Sequence, residues 1–416
     1  VSEQPIEILS FGCRLNSFES EAMKSAAKEA GLSGAVIVNT CAVTSEAERQ
    51  ARQAIRKLKR ERPGLRIIVT GCAAQVSSSK FTDMPEVDRV VGNADKLDPR
   101  VLAGESRLHL TAFQDVSELA PHLVEGFEGR ARAFVQIQQG CDHRCAFCVI
   151  PLARGPSRSI APERIVAQGR KLAQAGWKEM ALTGVDISSW GRDLKGKPSL
   201  GHLVRLLLDE IPDLSRLRFS SLDPAEIDQE LLDALTSQPR LMPHLHLSIQ
   251  AGSDGVLKRM ARRHRRGDLL LLAERLRQAR PGLALGADLI AGFPGESEAE
   301  QAETLALIDE MDLTHLHVFP FSARPGTAAF RMKRLSGEVV KERAAALRLA
   351  GETRLLGRMK ARLGEMASVL VETNGQGYSE DYLPVSVKGS AAAAGDIVQV
   401  RLTAMENERL AGELAA

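Results

Sequence analysis

Cys141-Asp142-His143-Arg144-Cys145-Ala146-Phe147-Cys148 follows an apolar run at 132–138, and this order, a strand and then a tight cysteine loop, decides how the chain is read. A loop of that spacing can wrap three thiolates around three irons of a cubane cluster, leaving a fourth iron without a protein ligand and open to a substrate or cofactor. The alternative is a zinc site closed by His143 or a distant residue. Neither a second cysteine pair nor a Cys-x2-Cys and His-x3-His pattern follows, which counts against it.

Downstream of the loop, strand-like runs recur at 178–183, 216–221, 244–250, 283–290 and 314–319 with helical segments between them. Together with 132–138 they predict a partial (β/α)6 barrel, with its site at the strand C-terminal ends. From about residue 355 short strands with Gly-rich turns, at 368–372 and 396–402 among others, predict a small β-barrel.

Upstream, an apolar run ends in a cysteine three times, at Cys13, Cys41 and Cys72. Helical stretches between these runs imply a parallel α/β sheet whose strand C-termini share one edge, where open α/β sheets bind ligands. Strand-end cysteines are also often inert small hydrophobes, so packing alone is the other reading. Between the second and third runs, Ser45 and Glu48 predict a capping-box helix start and Pro63-Gly64 a stop. Ala47, Ala51, Ala54, Ile55 and Leu58 form its apolar stripe, and Arg49, Arg52, Arg56 and Arg60 its solvent face. Scattered Gly, Ser, Pro and acidic residues predict a linker from 99 to about 129.

With 416 residues, 44% hydrophobic and 26% charged, the chain has room for two or three ordinary globular domains. No apolar run approaches the roughly 18 residues needed to cross a bilayer, and the start Val1-Ser2-Glu3-Gln4 lacks a signal-peptide pattern, so a cytoplasmic protein without a membrane is expected. A net charge of +2 announces no nucleic-acid partner, so local clusters must carry any such claim. One is 258–266, where Arg262, Arg263, Arg265 and Arg266 stand close together; another is the Arg49, Arg52 and Arg56 face. Either could equally be a solvated surface. The C-terminal stretch, with Glu372, Glu380, Asp381, Asp396, Glu406, Glu408 and Glu413, has a weak claim on RNA.

The cysteine loop resembles the signature of the radical S-adenosylmethionine superfamily. Leu182-Thr183-Gly184-Val185-Asp186, Ser220-Ser221-Leu222-Asp223-Pro224, His246-Leu247-Ser248-Ile249-Gln250 and Gly286-Ala287-Asp288 resemble the other elements of that fold, in order. The resemblance implies that Phe147, Thr183, Gly184, Asp186, Ser221, Gln250 and Asp288 line a site for S-adenosylmethionine. Gly12-Cys13-Arg14-Leu15-Asn16, Asn39-Thr40-Cys41-Ala42-Val43-Thr44 and Thr70-Gly71-Cys72-Ala73-Ala74-Gln75 look like the N-terminal domain of the methylthiotransferases. The whole chain then divides into that domain at 1–115, a radical-SAM domain at 127–355 and a TRAM-like barrel at 356–416.

The resemblance implies two 4Fe-4S clusters, one on Cys141, Cys145 and Cys148 and one on Cys13, Cys41 and Cys72. It also implies a tRNA substrate and an electron donor such as flavodoxin or ferredoxin. Within the family, Cys13-Arg14-Leu15-Asn16 and His317-Val318-Phe319-Pro320-Phe321-Ser322 are similar to members acting on N6-threonylcarbamoyladenosine beside the anticodon, at position 37, where C2 receives the methylthio group. Relatives acting on isopentenyladenosine, or on a ribosomal-protein aspartate, usually differ after the first cysteine. A non-catalytic, metal-stabilised RNA-binding module is the reading of another class.

Overall fold

A computed structural model describes residues 6–113, 124, 126–127, 129–389 and 392–415. Its first sheet is parallel and runs in chain order: β1 (Glu7–Ser10), β2 (Ala35–Thr40), β3 (Arg66–Gly71), β4 (Arg89–Val91) and β5 (Leu108–His109). Both faces of the sheet are covered. Val36, Val38, Ile67 and Val69 pack with Ile55 on one side, and Ile37 and Ile68 with Met23 and Ala27 on the other. Burial on two faces is why these strands read as continuous apolar runs rather than as alternating ones.

Two expectations are corrected here. The stretch after 99 is no linker, because helix Pro99–Ala103 and β5 complete this sheet; most of 114–128 lies outside the described residues. The helix Ser45–Glu61 is capped by Thr44, whose hydroxyl accepts from the Ala47 amide at 3.2 Å, not by Ser45. Glu48 is buried instead, holding Lys80 and Arg324 at 2.7 Å each, and so ties this sheet to the loop after the last barrel strand.

The second unit comprises β6 (Ala133–Gln136), a small ribbon of β7 (Gln138–Gln139) and β8 (Arg158–Ser159), then β9 (Glu179–Thr183), β10 (Arg216–Phe219), β11 (His244–Gln250), β12 (Ala284–Ala291) and β13 (Leu313–Pro320). Two parallel three-stranded sheets, β6-β9-β10 and β11-β12-β13, meet through bridges at Leu217–Leu241 and Leu222–Leu247. They form an open barrel with β6 and β13 as its free edges, as the strand count predicts. Leu245, Leu247, Ala287, Leu289 and Leu316 belong to the core under the outer helices. Strand alternation therefore turns His244, His246, Asp288, His315 and His317 into the lumen.

Five antiparallel and parallel strands close the C-terminal barrel in the order β14 (Met366–Thr373), β15 (Gln376–Ser379), β16 (Pro384–Lys388), β18 (Arg409–Leu414) and β17 (Ile397–Glu406). Helix Gly337–Ala361 runs across the expected boundary at 356, and its last turns cover the new barrel with Met359. Several of the acidic residues there hold cations outside the barrel strands. Glu372 pairs with Arg132 at 2.9 Å, Asp396 with Lys178 at 2.8 Å, and Asp381 with Arg358 and Arg362 at 2.9 and 2.8 Å. Among the described residues no helix is long and apolar enough to cross a membrane.

Candidate active site

The loop 141–148 is fixed by its backbone before any ligand is considered. Gly140 has φ +78°, and a Cβ there would lie 1.8 Å from the Pro156 carbonyl oxygen, so only glycine lets the chain turn out of β7 at this point. The Cys141 amide donates to the Gly155 carbonyl at 3.1 Å, the Ala146 amide to Met260 at 2.9 Å, and the Ala329 amide to Ala146 at 2.8 Å. Phe147 packs on the cluster of Ala251, Val256, Ile290 and Phe293.

All six cysteines are free thiols. Burial, with the Asp186 carboxylate next, pushes the Cys141 thiol up to about 12; burial pushes Cys148 up to about 11, with Cys145 and Cys72 adding to it. Thiols this reluctant to ionise become stable thiolates only beside added positive charge, which bound iron supplies. His143 turns its Nε2 to Asp186 at 2.9 Å, and Asp186 also accepts from Ser189 at 2.7 Å. That carboxylate holds the histidine away from a free ligand role, although the ligand atoms of Cys141, His143 and Asp186 remain within 4.8 Å of one another. Three thiols with an otherwise engaged histidine fit an iron-sulfur cluster.

The other S-adenosylmethionine candidates divide in two. Thr183, Gly184, Asp186, Ser221 and Gln250 lie at or just past the C-terminal ends of β9, β10 and β11, on the same edge as the cysteine loop. Gln138 organises part of this edge, its Oε1 accepting from the Val185 and Asp186 amides at 3.1 and 2.9 Å. Asp288 sits deeper, in mid-strand, and is held by His246 at 3.0 Å and His317 at 3.2 Å.

The N-terminal cysteines do converge. Each follows its strand at the same sheet edge, and Gly12, at φ +116°, would place a Cβ 2.9 Å from the Cys41 Cβ. Burial and the neighbouring Cys72 push Cys41 up to about 12. Beneath them lies a fully buried charge network. Arg154, at the end of helix Ile150–Arg154 just past the 141–148 loop, donates to the Cys72 sulfur at 3.2 Å and holds Glu19 through two nitrogens at 2.6 and 2.9 Å. Lys96 reaches the same carboxylate at 2.5 Å, and Asn93 contacts both Lys96 and Cys72. Two cations face one carboxylate, leaving positive charge directed at a thiol, which suits a thiolate-ligated cluster.

Sequence reasoning missed Glu19, Lys96 and Arg154, and it quoted Arg14, His246 and His317 only within motifs, giving them no place in a site, while His244 and His315 went unremarked as site residues. Glu19 and Lys96 carry no local signal. The pairs His244/His246 and His315/His317 did, since residues two apart in a strand share a face.

The arginines of the basic run 258–266 have different surroundings. Arg262 is buried beside the loop, with Nη1 3.5 Å from the Cys145 sulfur, Nη2 2.7 Å from the Ser248 carbonyl, and Asp223 at 3.1 Å. Arg263 holds Asp223 and Glu226, and Arg266 holds Glu310 at 2.7 Å. Arg265 is exposed with no side-chain partner among the described residues, and Arg49 and Arg56 are exposed on their helix. Neutralising Arg49, Arg56 and Arg265 together should therefore lower the slope of log K against log salt for tRNA, by about one unit for each phosphate no longer neutralised. An unchanged slope in filter binding would make all three merely solvated. Arg262→Ala should instead disturb the iron content.

Sequence comparison agrees with this architecture. The model of the radical SAM superfamily matches residues 135–308, and that of the uncharacterized protein family UPF0004 matches 5–92. The chain is 44% identical over 401 residues to the threonylcarbamoyladenosine tRNA methylthiotransferase MtaB of Rickettsia prowazekii, covering 96% of this chain and 95% of that protein. It is 36% identical to the tRNA-2-methylthio-N(6)-dimethylallyladenosine synthase of Cereibacter sphaeroides strain ATCC 17029, covering 98% and 97%. A solved radical S-adenosylmethionine methyltransferase, TsrM from Kitasatospora setae, superposes with TM-score 0.56 at 13% identity over 77% of this chain and 74% of that one, a likeness of fold.

The barrel and its cysteine loop thus define a radical-SAM enzyme, which uses S-adenosylmethionine and a 4Fe-4S cluster. More narrowly, the chain belongs to the radical-SAM methylthiotransferase family.

Proposed function

We propose that this enzyme adds a methylthio group to C2 of N6-threonylcarbamoyladenosine at position 37 of tRNA, in the cytoplasm, with a flavodoxin or ferredoxin as electron donor. The observation that carries the reading is the meeting of two cysteine triads across Arg154: it leaves the 141–148 loop on one side and bonds Cys72 on the other. Cys141, Cys145 and Cys148 would hold the cluster that cleaves S-adenosylmethionine to a 5′-deoxyadenosyl radical, and Cys13, Cys41 and Cys72 an auxiliary cluster that supplies sulfur. Such a cofactor is needed because a C2–H bond offers no acidic proton to a side-chain base. The chain's part is binding, order and exclusion of water.

Residues of the chain distribute these tasks. Thr183, Gly184, Ser221, Gln250 and Phe147 shape the edge where S-adenosylmethionine would bind, and Asp186 holds His143 in place beside Cys141. The lumen below takes the base. His317 is 60% exposed at the free edge β13, so the lumen opens there to solvent and to an extruded nucleotide.

The choice between the two tRNA substrates is supported by the higher identity to the threonylcarbamoyladenosine enzyme and by the lumen's chemistry. Its wall of Arg14, Arg218, His244, His246, His315 and His317 suits a polar, hydrogen-bonding substituent. An isopentenyl group would offer nothing to the His244 Nε2, which has no hydrogen-bond partner among the described residues, or to the donors that Arg14 leaves unspent. Mass spectrometry of tRNA nucleosides from cells with and without the gene tests the reading: loss of 2-methylthio-N6-threonylcarbamoyladenosine alone is expected, and loss of the isopentenyl product instead would refute it.

A further inference from the structure

Arg14 is placed where neither its own helix nor its neighbour Cys13 has use for it. Cys13 caps helix Arg14–Glu29, which packs on β6 through Phe18 and Ala22. From there the Arg14 side chain passes the open edge of the barrel and crosses to β10. Its Nη1 donates to the Phe219 carbonyl at 3.4 Å and its Nη2 to the Tyr382 hydroxyl at 3.3 Å. Among the described residues no carboxylate pairs with it.

The other lumen arginines differ in this respect. Arg132, Arg216 and Arg218 all hold the buried Glu179, at 2.9, 3.3 and 3.0 Å, and Arg132 holds Glu372 as well. Arg14 has two neutral oxygens at long distances and part of its donor fork unspent. Tyr382, inserted from the C-terminal barrel, fixes the floor beneath it: its ring stacks on His244 at 5.0 Å and its hydroxyl accepts from Arg132 at 2.6 Å. Beside it, the His244 ring is nine-tenths buried and its Nε2 has no hydrogen-bond partner among the described residues. A half-buried guanidinium without a counter-ion and a buried imidazole nitrogen without a partner, both among the described residues, stand together against the Tyr382 ring, at 5.9 and 5.0 Å from its centre. Each lacks what an anionic, hydrogen-bonding ligand would supply.

We infer that Arg14 is the specificity-determining residue of this enzyme, holding the carboxylate of the threonylcarbamoyl substituent while the adenine lies toward the cysteine loop. This rests on the substrate reading above and adds to it the atom that is recognised. A planar guanidinium takes a carboxylate through paired N–H donors, a contact that a neutral N6 substituent cannot make. The position of Arg14, one residue after a ligand of the auxiliary cluster, ties recognition of the substituent to the place where sulfur is delivered.

The test uses the reconstituted enzyme with S-adenosylmethionine and no reductant, so that binding is read without turnover. Two anticodon stem-loop RNAs serve as probes: one with N6-threonylcarbamoyladenosine, the other with the same substituent carrying a primary amide in place of its carboxylate. The wild-type enzyme should prefer the carboxylate by roughly tenfold to a hundredfold, the range of a charge-assisted hydrogen bond. Arg14→Gln should bring that ratio close to one, and Arg14→Lys should restore part of it. Because each ratio compares two ligands on one protein, a general loosening of the site cancels.

A wild-type enzyme indifferent to the amide overturns the role of Arg14, whatever the variants do. So does an Arg14→Gln enzyme that keeps the preference. In both cases methylthiolation of the threonylcarbamoyl RNA by the wild type would leave the substrate reading standing. Modification of an isopentenyl stem-loop alone would bring down both.

Discussion

Cys145→Ala should form no 5′-deoxyadenosine above the level of iron-free protein, whereas Cys41→Ala should still form it while making no methylthio product. The two substitutions are alike in chemistry, and only position separates them. Cys145 lies in the 141–148 loop on the barrel's C-terminal edge, and Cys41 at the end of β2 in the other sheet. If each triad holds its own 4Fe-4S cluster, either variant should carry about four irons per chain where the wild type carries about eight. Iron and sulfide analysis, with quantification of 5′-deoxyadenosine and modified nucleoside from the same anaerobic reaction, reads all of these at once. Normal methylthiolation by Cys41→Ala would return the N-terminal cysteines to core packing. Zinc in place of iron in the wild type would make the loop a structural metal site.

What could be read from the sequence has a physical pattern. β2 and β3 were legible because strands buried on both faces must be apolar throughout, and β11 to β13 because their outward faces are Leu, Ala and Val under helices. β4 and β5 were not, since strands of three and two residues leave no period to detect. Cysteine spacing exposed both triads. The charges around them stayed hidden: Glu19, Lys96 and Arg154 lie on three different elements, and a lone charged residue in sequence reads as surface. Arg262 shows a different limit. In sequence it belongs to a basic run, and in space it belongs to Cys145. Of the acidic C-terminal residues, judged in sequence by their number, Glu372, Glu380, Asp381 and Asp396 are partners for Arg132, Lys178, Arg358 and Arg362.

Glu19→Gln should be among the most destabilising single substitutions in the N-terminal unit, although it preserves shape and much of the hydrogen bonding. Glu19, Lys96 and Arg154 are each 1% exposed, and the carboxylate is the shared counter-ion of both cations. Burial alone would raise the Glu19 carboxyl; Arg154 and Lys96 overcome that and hold it at about 2, against an ordinary 4.5. Removing its charge leaves two buried cations facing each other, a loss of about 3–5 kcal/mol by comparison with other broken buried pairs. Lys96→Met should cost clearly less, because the two-nitrogen Arg154–Glu19 pair survives without a surplus charge. The double variant should then be less damaged than the sum of the two, since one uncompensated cation has gone with the carboxylate. Urea unfolding of the iron-free protein, followed by circular dichroism, gives the three midpoints; a Glu19→Gln loss no greater than that of Lys96→Met would overturn the assignment. The pH dependence has a definite sign. A carboxyl depressed by folding stabilises above its unfolded pKa and loses that contribution as the pH falls toward its folded one. The carboxyl's share of the gap between wild type and Glu19→Gln should therefore begin to close only below about 4.5 and vanish toward about 2.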